Sequence, residues 1–176
     1  MITGMPGSGK TTLFKRLVHA LKHLNPAGFY TSEIREEGTR KGFSLKGLDG
    51  RSGILAHVGF RTTYRVGKYG VDLNGFDAFI GPLLFLGPQT GLVMIDEIGK
   101  MECLSAAFQR WIRQVFDSPK PIVATIAQRG GGLIAELKKR SDVRVFTITR
   151  DNHDEVFEEI CSVLFYRYNK GLSAED

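Results

Sequence analysis

The sequence predicts an α/β fold of three layers: a mostly parallel sheet with helices on both faces and one inserted antiparallel hairpin. Three observations carry this expectation. Short apolar runs alternate with amphipathic stretches along the chain, the pattern of an α/β fold. The run Leu92-Val93-Met94-Ile95 is apolar at every position, as expected of a strand covered by helices on both faces. Asp49-Gly50 separates two short segments, and Asp-Gly favours the turn that matches strand twist.

Only Met1-Ile2-Thr3 precedes a Gly-rich turn, so the first strand is either unusually short or begins upstream of Met1. A helix follows from Thr11 to Leu24, with Leu13, Leu17, Leu21 and Leu24 at helical spacing and Asn25-Pro26 as its stop. Gly28 to Glu33 reads as a strand. Phe43 with Leu45, and Ile54 to Val58, form the arms of the hairpin. Leu73 to Leu86 is predicted helical despite Gly75, Gly81 and Pro82. After the Leu92 to Ile95 strand, Ser105 suits the N-cap of a helix with Phe108, Trp111, Ile112, Val115 and Phe116 on one face. Pro119 and Pro121 end that connection. Ile122 to Ile126 is a strand, Leu133 to Arg140 a helix, Val143 to Ile148 a strand and Asp154 to Asn169 a closing helix. No linker, repeat or low-complexity segment interrupts the pattern, so residues 1–176 are expected to form a single domain.

The composition fits that reading. A chain of 176 residues with 42% hydrophobic content has material for a sizeable core, and it excludes a disordered tail, a collagen-like repeat and a disulfide scaffold. No apolar run approaches the ~18 residues of a membrane span, and the N-terminus lacks the basic-then-apolar order of a secretion signal. A cytoplasmic, monomeric protein without membrane contact is expected. Cys103 and Cys161 are far apart, each in a predicted helix, and read as buried reduced thiols. The net charge of +5 is unevenly placed: residues 1–71 hold 12 basic and 4 acidic side chains, residues 72–176 hold 12 and 15.

Gly4-Met5-Pro6-Gly7-Ser8-Gly9-Lys10-Thr11 fits the P-loop pattern G-x-x-x-x-G-K-[ST]. Its glycines let successive backbone N–H groups turn inward as an anion nest, and the following helix adds its positive N-terminal end. The segment Gly4, Met5, Pro6, Gly7, Ser8, Gly9, Lys10, Thr11 and Thr12 is therefore the expected phosphate-binding element. Lys10 can reach the β- and γ-phosphates, and the Thr11 hydroxyl suits a Mg²⁺ ligand.

A partner acid is expected at the end of another strand, and Leu92-Val93-Met94-Ile95-Asp96-Glu97 has the Walker B form. Open α/β sheets bind ligands at the carboxyl ends of their strands, so Asp96 should arrive beside Thr11 and hold Mg²⁺ through its water shell. Adjacent side chains on a strand point apart, which casts Glu97 instead as the group that positions or deprotonates the attacking water.

Together with the P-loop, three further strings carry a family resemblance: Gly28 to Glu36, Val66-Gly67-Lys68-Tyr69-Gly70-Val71-Asp72, and above all Ile95-Asp96-Glu97-Ile98-Gly99-Lys100-Met101-Glu102. The chain resembles the THEP-type nucleoside-triphosphatase family over nearly its whole length. The resemblance implies a RecA-like P-loop core and Mg²⁺-dependent hydrolysis of nucleoside triphosphates (ATP, GTP, CTP and UTP) to the diphosphate and phosphate. Two departures stand out. His153 occupies the place where the family pattern expects an arginine, which puts base contacts in doubt unless Arg150 substitutes, and the first strand is short.

Other residues have two readings each. Arg129 either approaches the phosphates from the sheet edge or is simply solvated. Lys100 either bridges toward the γ-phosphate or pairs with Glu102. Arg35, Arg65 and Lys68 are candidates to line a nucleotide cleft. His19 and His23 lie four residues apart, but no third metal ligand is evident. Lys138-Lys139-Arg140 reads as a solvated helix end. Two alternatives to hydrolysis remain: a P-loop kinase with a small acceptor, for which Arg61 to Lys68 could supply a lid, and an NTP-switched nucleic-acid binder. Against the binder, no aromatic-basic interleaving is evident, and the charge of the first 71 residues is assigned in part to a small anionic ligand.

Overall fold

A computed structural model of the chain describes residues 1–172, with side chains as far as Tyr166. In chain order the elements are β1 (Ile2–Thr3), α1 (Lys10–Ala20), β2 (Pro26–Glu36), β3 (Thr39–Gly47), β4 (Ser52–His57), β5 (Arg65–Val66), β6 (Tyr69–Val71) and α2 (Leu73–Ile80). There follow β7 (Leu92–Ile98), α3 (Ala106–Phe116), β8 (Ile122–Ile126), α4 (Leu133–Lys138), β9 (Phe146–Thr147) and α5 (His153–Leu172). The strands form one nine-stranded sheet in the order β5-β6-β4-β3-β2-β7-β8-β1-β9.

This sheet has two halves. β2, β7, β8, β1 and β9 are mutually parallel. β3, β4, β6 and β5 continue it antiparallel beyond β2. The antiparallel part therefore extends past the one expected hairpin into a four-stranded wing. Its outer strands, β5 and β6, are two and three residues long around Gly67-Lys68, too short for any periodicity to announce them.

Strand alternation divides the parallel half between two cores. On β7, Leu92 and Met94 pack with Leu13, Phe14 and Leu17 of α1 and Val156 and Ile160 of α5. Val93 and Ile95 face the opposite side, against Phe76 of α2, Phe108, Trp111 and Ile112 of α3 and Ile134 of α4. Each fully buried large apolar side chain contributes roughly 1.5–3 kcal/mol, so continuous apolar strands are stabilised by being sandwiched. Ser105 caps α3 as expected, its Oγ accepting from the Phe108 N–H at 2.9 Å.

Several boundaries differ from expectation for local reasons. α1 ends at Ala20 and a short 3₁₀ turn carries the chain to Asn25, whose φ of 49° is left-handed. α2 ends at Ile80 and continues only as a 3₁₀ turn over Gly81–Leu84, because the Pro82 ring cannot continue an α-helix past its preceding turn. β7 runs on through Asp96 and Glu97 to Ile98, whereas β9 is only Phe146–Thr147. Cys103 lies in a 3₁₀ turn (Glu102–Leu104) and Cys161 in α5; both are free and half-buried, less enclosed than expected. Burial pushes the Cys103 thiol up to about 12. Among the described residues no helix is long and apolar enough to cross a membrane.

Candidate active site

The loop between β1 and α1 turns on two glycines that only an unsubstituted backbone suits: Gly7 at φ 78° and Gly9 at φ 86°. Gly9 is further constrained from outside, since a Cβ there would stand 2.3 Å from the His153 ring. That ring donates from Nε2 to the Ser8 carbonyl at 2.7 Å, clamping the start of α5 onto the loop. His153 thus buttresses the loop in this chain. Lys10 reaches back over the loop, its Nζ donating to the Gly4 and Met5 carbonyls at 3.0 and 3.1 Å. Thr11 is half-buried in the first turn of α1, while Thr12 beside it is exposed.

β8 separates β1 from β7, and its Thr125 bridges them. The backbone of Thr125 pairs with Ile2 of β1. Its hydroxyl donates to Asp96 Oδ1 at 2.6 Å. The β7–β8 register shifts between Ile95 and Ile98, so Asp96 and Glu97 together oppose the single residue Thr125. This bulge re-aims the acidic pair at the carboxyl edge of the sheet. Asp96 is only 1% exposed. Burial pushes its carboxyl above the usual aspartate range, opposed by the Thr125 and Thr11 hydroxyls and by the charges of Lys10 and Lys15. Its second oxygen, Oδ2, is buried without a hydrogen-bond partner among the described residues. A buried, orphaned carboxylate oxygen beside a threonine hydroxyl is an all-oxygen donor set that suits a hard cation such as Mg²⁺.

Glu97 is half-buried, and burial followed by the Asp96 charge raises its carboxyl above the ordinary range, with Lys10 and Arg40 opposing. The pairing of Lys100 with Glu102, one of its two expected readings, does not occur among the described residues. Lys100 is exposed, whereas Glu102 is buried and accepts from the Gly99 N–H at 3.2 Å. Both Glu97 Oε1 and Glu102 Oε2 lie 2.9 Å from where a Gly99 Cβ would stand, so position 99 has no room for a side chain. Burial, then the Glu97 charge, pushes Glu102 well above the glutamate range.

Sequence reasoning missed Arg40, Thr125 and the burial of Glu102. Thr125 was detectable as the one hydroxyl in the apolar run Ile122 to Ile126. Arg40 was not, because its place depends on partners distant in sequence: Glu33 Oε1 at 2.6 Å and the Tyr69 hydroxyl at 3.0 Å. Arg129 and Arg150 are exposed in loops at this edge. Arg35, Arg65 and Lys68 lie instead on or beside the wing, where Arg35 pairs with Glu33 and Arg65 donates to the Lys68 carbonyl. The basic run ending α4 is not simply solvated. Lys138 donates to the Ala127 and Gln128 carbonyls, and Arg140 pairs with Asp117 and Asp142.

A strand-loop-helix with an anion nest, set two places along a parallel sheet from an acid-tipped strand, is the architecture of a P-loop NTPase. Comparison with known proteins narrows the class. The family described as NTPase matches residues 1–161. The nucleoside-triphosphatase THEP1 of Thermotoga sp. (strain RQ2) is 43% identical over 172 residues, 97% of each chain. The human cancer-related nucleoside-triphosphatase is 38% identical over 175 residues, 90% of this chain and 92% of that one. The crystal structure of THEP1 from Aquifex aeolicus superposes with a TM-score of 0.84 at 34% identity, covering 93% of this chain and 96% of its own. The chain belongs to this nucleoside-triphosphatase family.

Proposed function

We propose that the chain hydrolyses nucleoside 5′-triphosphates to the diphosphate and phosphate, with Mg²⁺, at the carboxyl edge of β1, β8 and β7. The observation that carries the reading is Asp96: a buried carboxylate with one oxygen fixed by Thr125 and the other unpartnered, beside Thr11 at the start of the P-loop helix. Leaving such an oxygen unsatisfied is costly unless a ligand completes it.

Gly4 to Thr12 cradle the phosphates through backbone N–H groups and the N-terminal end of α1. Lys10 leaves the Gly4 and Met5 carbonyls and binds β- and γ-oxygens, supplying charge as it accumulates on the leaving diphosphate. Thr11 and Asp96 would hold Mg²⁺, which would supply charge neutralisation at the β- and γ-phosphates. Glu97 orients a water for in-line attack and takes its proton, as the bond from the γ-phosphorus to the bridging oxygen breaks and its electron pair stays with the diphosphate. A carboxyl raised by burial is a stronger base than one in water, which suits that role. The relatives are named nucleoside-triphosphatases, and ATP, GTP, CTP and UTP are the proposed substrates. The test is phosphate release from these four triphosphates with and without Mg²⁺. Release that needs an added acceptor alcohol would replace hydrolysis with transfer.

A further inference from the structure

We propose that the outer face of the antiparallel wing, around β5 and the Gly59 to Tyr64 loop, binds single-stranded RNA. The basic excess of the chain is concentrated there. Residues 36–72 carry seven basic side chains (Arg40, Lys41, Lys46, Arg51, Arg61, Arg65 and Lys68) against the four acids Glu36, Glu37, Asp49 and Asp72. Two are matched internally, Arg40 by Glu33 and Arg51 by Asp49. The other five form no ion pair among the described residues. Elsewhere several arginines are matched with acids, as in Arg113–Glu136 and Arg144–Glu159. Arg61, Arg65 and Lys68 fall within eight residues of chain, and unmatched cations set so close repel one another, a repulsion that an external polyanion relieves.

Charge alone would fit any polyanion; the aromatic groups and the cavity select among them. The segment Phe60-Arg61-Thr62-Thr63-Tyr64-Arg65-Val66-Gly67-Lys68-Tyr69 does interleave aromatic with basic residues. Tyr64 is 50% exposed between Arg61 and Arg65. It shares with Phe60, Arg61, Asp72 and Asn74 the wall of an open cavity of about 520 Å³, room for an unstacked base. Aromatic faces flanked by cations are how proteins hold splayed single strands, whereas a duplex keeps its bases out of reach. Asn74 is exposed at the cavity and offers both a donor and an acceptor, matching a ribose 2′-hydroxyl. β5 lies seven strand places from β1, the strand that leads into the phosphate loop.

The experiment is fluorescence anisotropy with a short labelled oligouridine on the full chain, at about 50 and about 200 mM salt. Wild type should bind with a log–log salt slope near −2, from about three phosphate contacts at ~0.7 each. R61E/R65E/K68E should lose at least about ten-fold in affinity while its phosphate release stays within about two-fold of wild type, which also shows that it is folded. Tyr64→Ala should lose about 5- to 100-fold, and Lys10→Ala should bind RNA unchanged. The proposal is overturned by absence of binding at low salt, by binding that survives the triple charge reversal, or by equal binding of duplex RNA or polyglutamate. Equal binding of oligothymidine would overturn the assignment to RNA.

Discussion

The two regions of the sheet handle charge in opposite ways. At the carboxyl edge of the parallel half, Asp96 is 1% and Glu102 3% exposed, and burial raises both carboxyls. On the wing, Arg61, Arg65 and Lys68 are exposed without acidic ion-pair partners among the described residues. Burying a charge costs free energy that only a cation, a proton or a substrate can offset, so the first arrangement belongs to chemistry. Displaying a cation in water costs little and leaves it ready to meet an anion, so the second belongs to capture. The net +5 is therefore shared between functions, with only part of it explained by the triphosphate.

Variants that fall on one side of this division should leave the other intact. The largest effect is expected of Lys10→Ala, which should abolish tight nucleotide binding and lower phosphate release by at least about 100-fold, whereas Arg65→Glu should change release less than about two-fold. A comparable loss from Arg65→Glu would break the comparison by placing the wing in the reaction. Asp96→Asn should raise the Mg²⁺ concentration needed for half-maximal release about 10- to 100-fold, read from a metal titration at saturating nucleotide. Thr125→Val leaves Asp96 Oδ1 unpaired and should lower stability by about 1–3 kcal/mol in denaturant unfolding.

A smaller, pH-dependent effect is expected at Glu102. Its folded carboxyl is raised well above the unfolded value, so the folded state favours the protonated acid. The stability it contributes is present at low pH and is lost as pH rises from the ordinary glutamate range through the raised folded value. Glu102→Gln, which mimics the protonated acid and can still accept from the Gly99 N–H, should raise Tm by a few degrees at pH 8 and leave it unchanged near pH 4. An equal shift at both pH values would show that Glu102 is not held neutral by the fold.

What was legible in the sequence was local. The P-loop announces itself because its glycines, Lys10 and Thr11 act within one turn of chain, and β7 because four consecutive apolar residues end in acids. The helix from Ala106 to Phe116 was legible through the Ser105 cap and its one apolar face. What escaped depends on residues distant in sequence. The bulge that sets Asp96 and Glu97 against Thr125 exists only once β8 pairs with β7. Glu102 reads as a surface acid until the turn after β7 buries it. His153 looked like a lost base contact, and folding places its ring against Gly9 as part of the phosphate loop's support. The wing's short strands escaped because two- and three-residue strands have no period to detect, whereas the aromatic-basic order of Phe60 to Tyr69 was legible in the sequence and was missed.

The division between buried chemistry and displayed charge rests most heavily on Glu97, half-buried between Asp96 and Glu102. Glu97→Gln keeps the side chain's size and removes only its capacity to take a proton. The direct test compares MgATP binding, by titration calorimetry, with single-turnover phosphate release in this variant. The account predicts binding within a few-fold of wild type and turnover below about a tenth of it. Turnover above that level with binding intact would contradict Glu97 as the water-activating group.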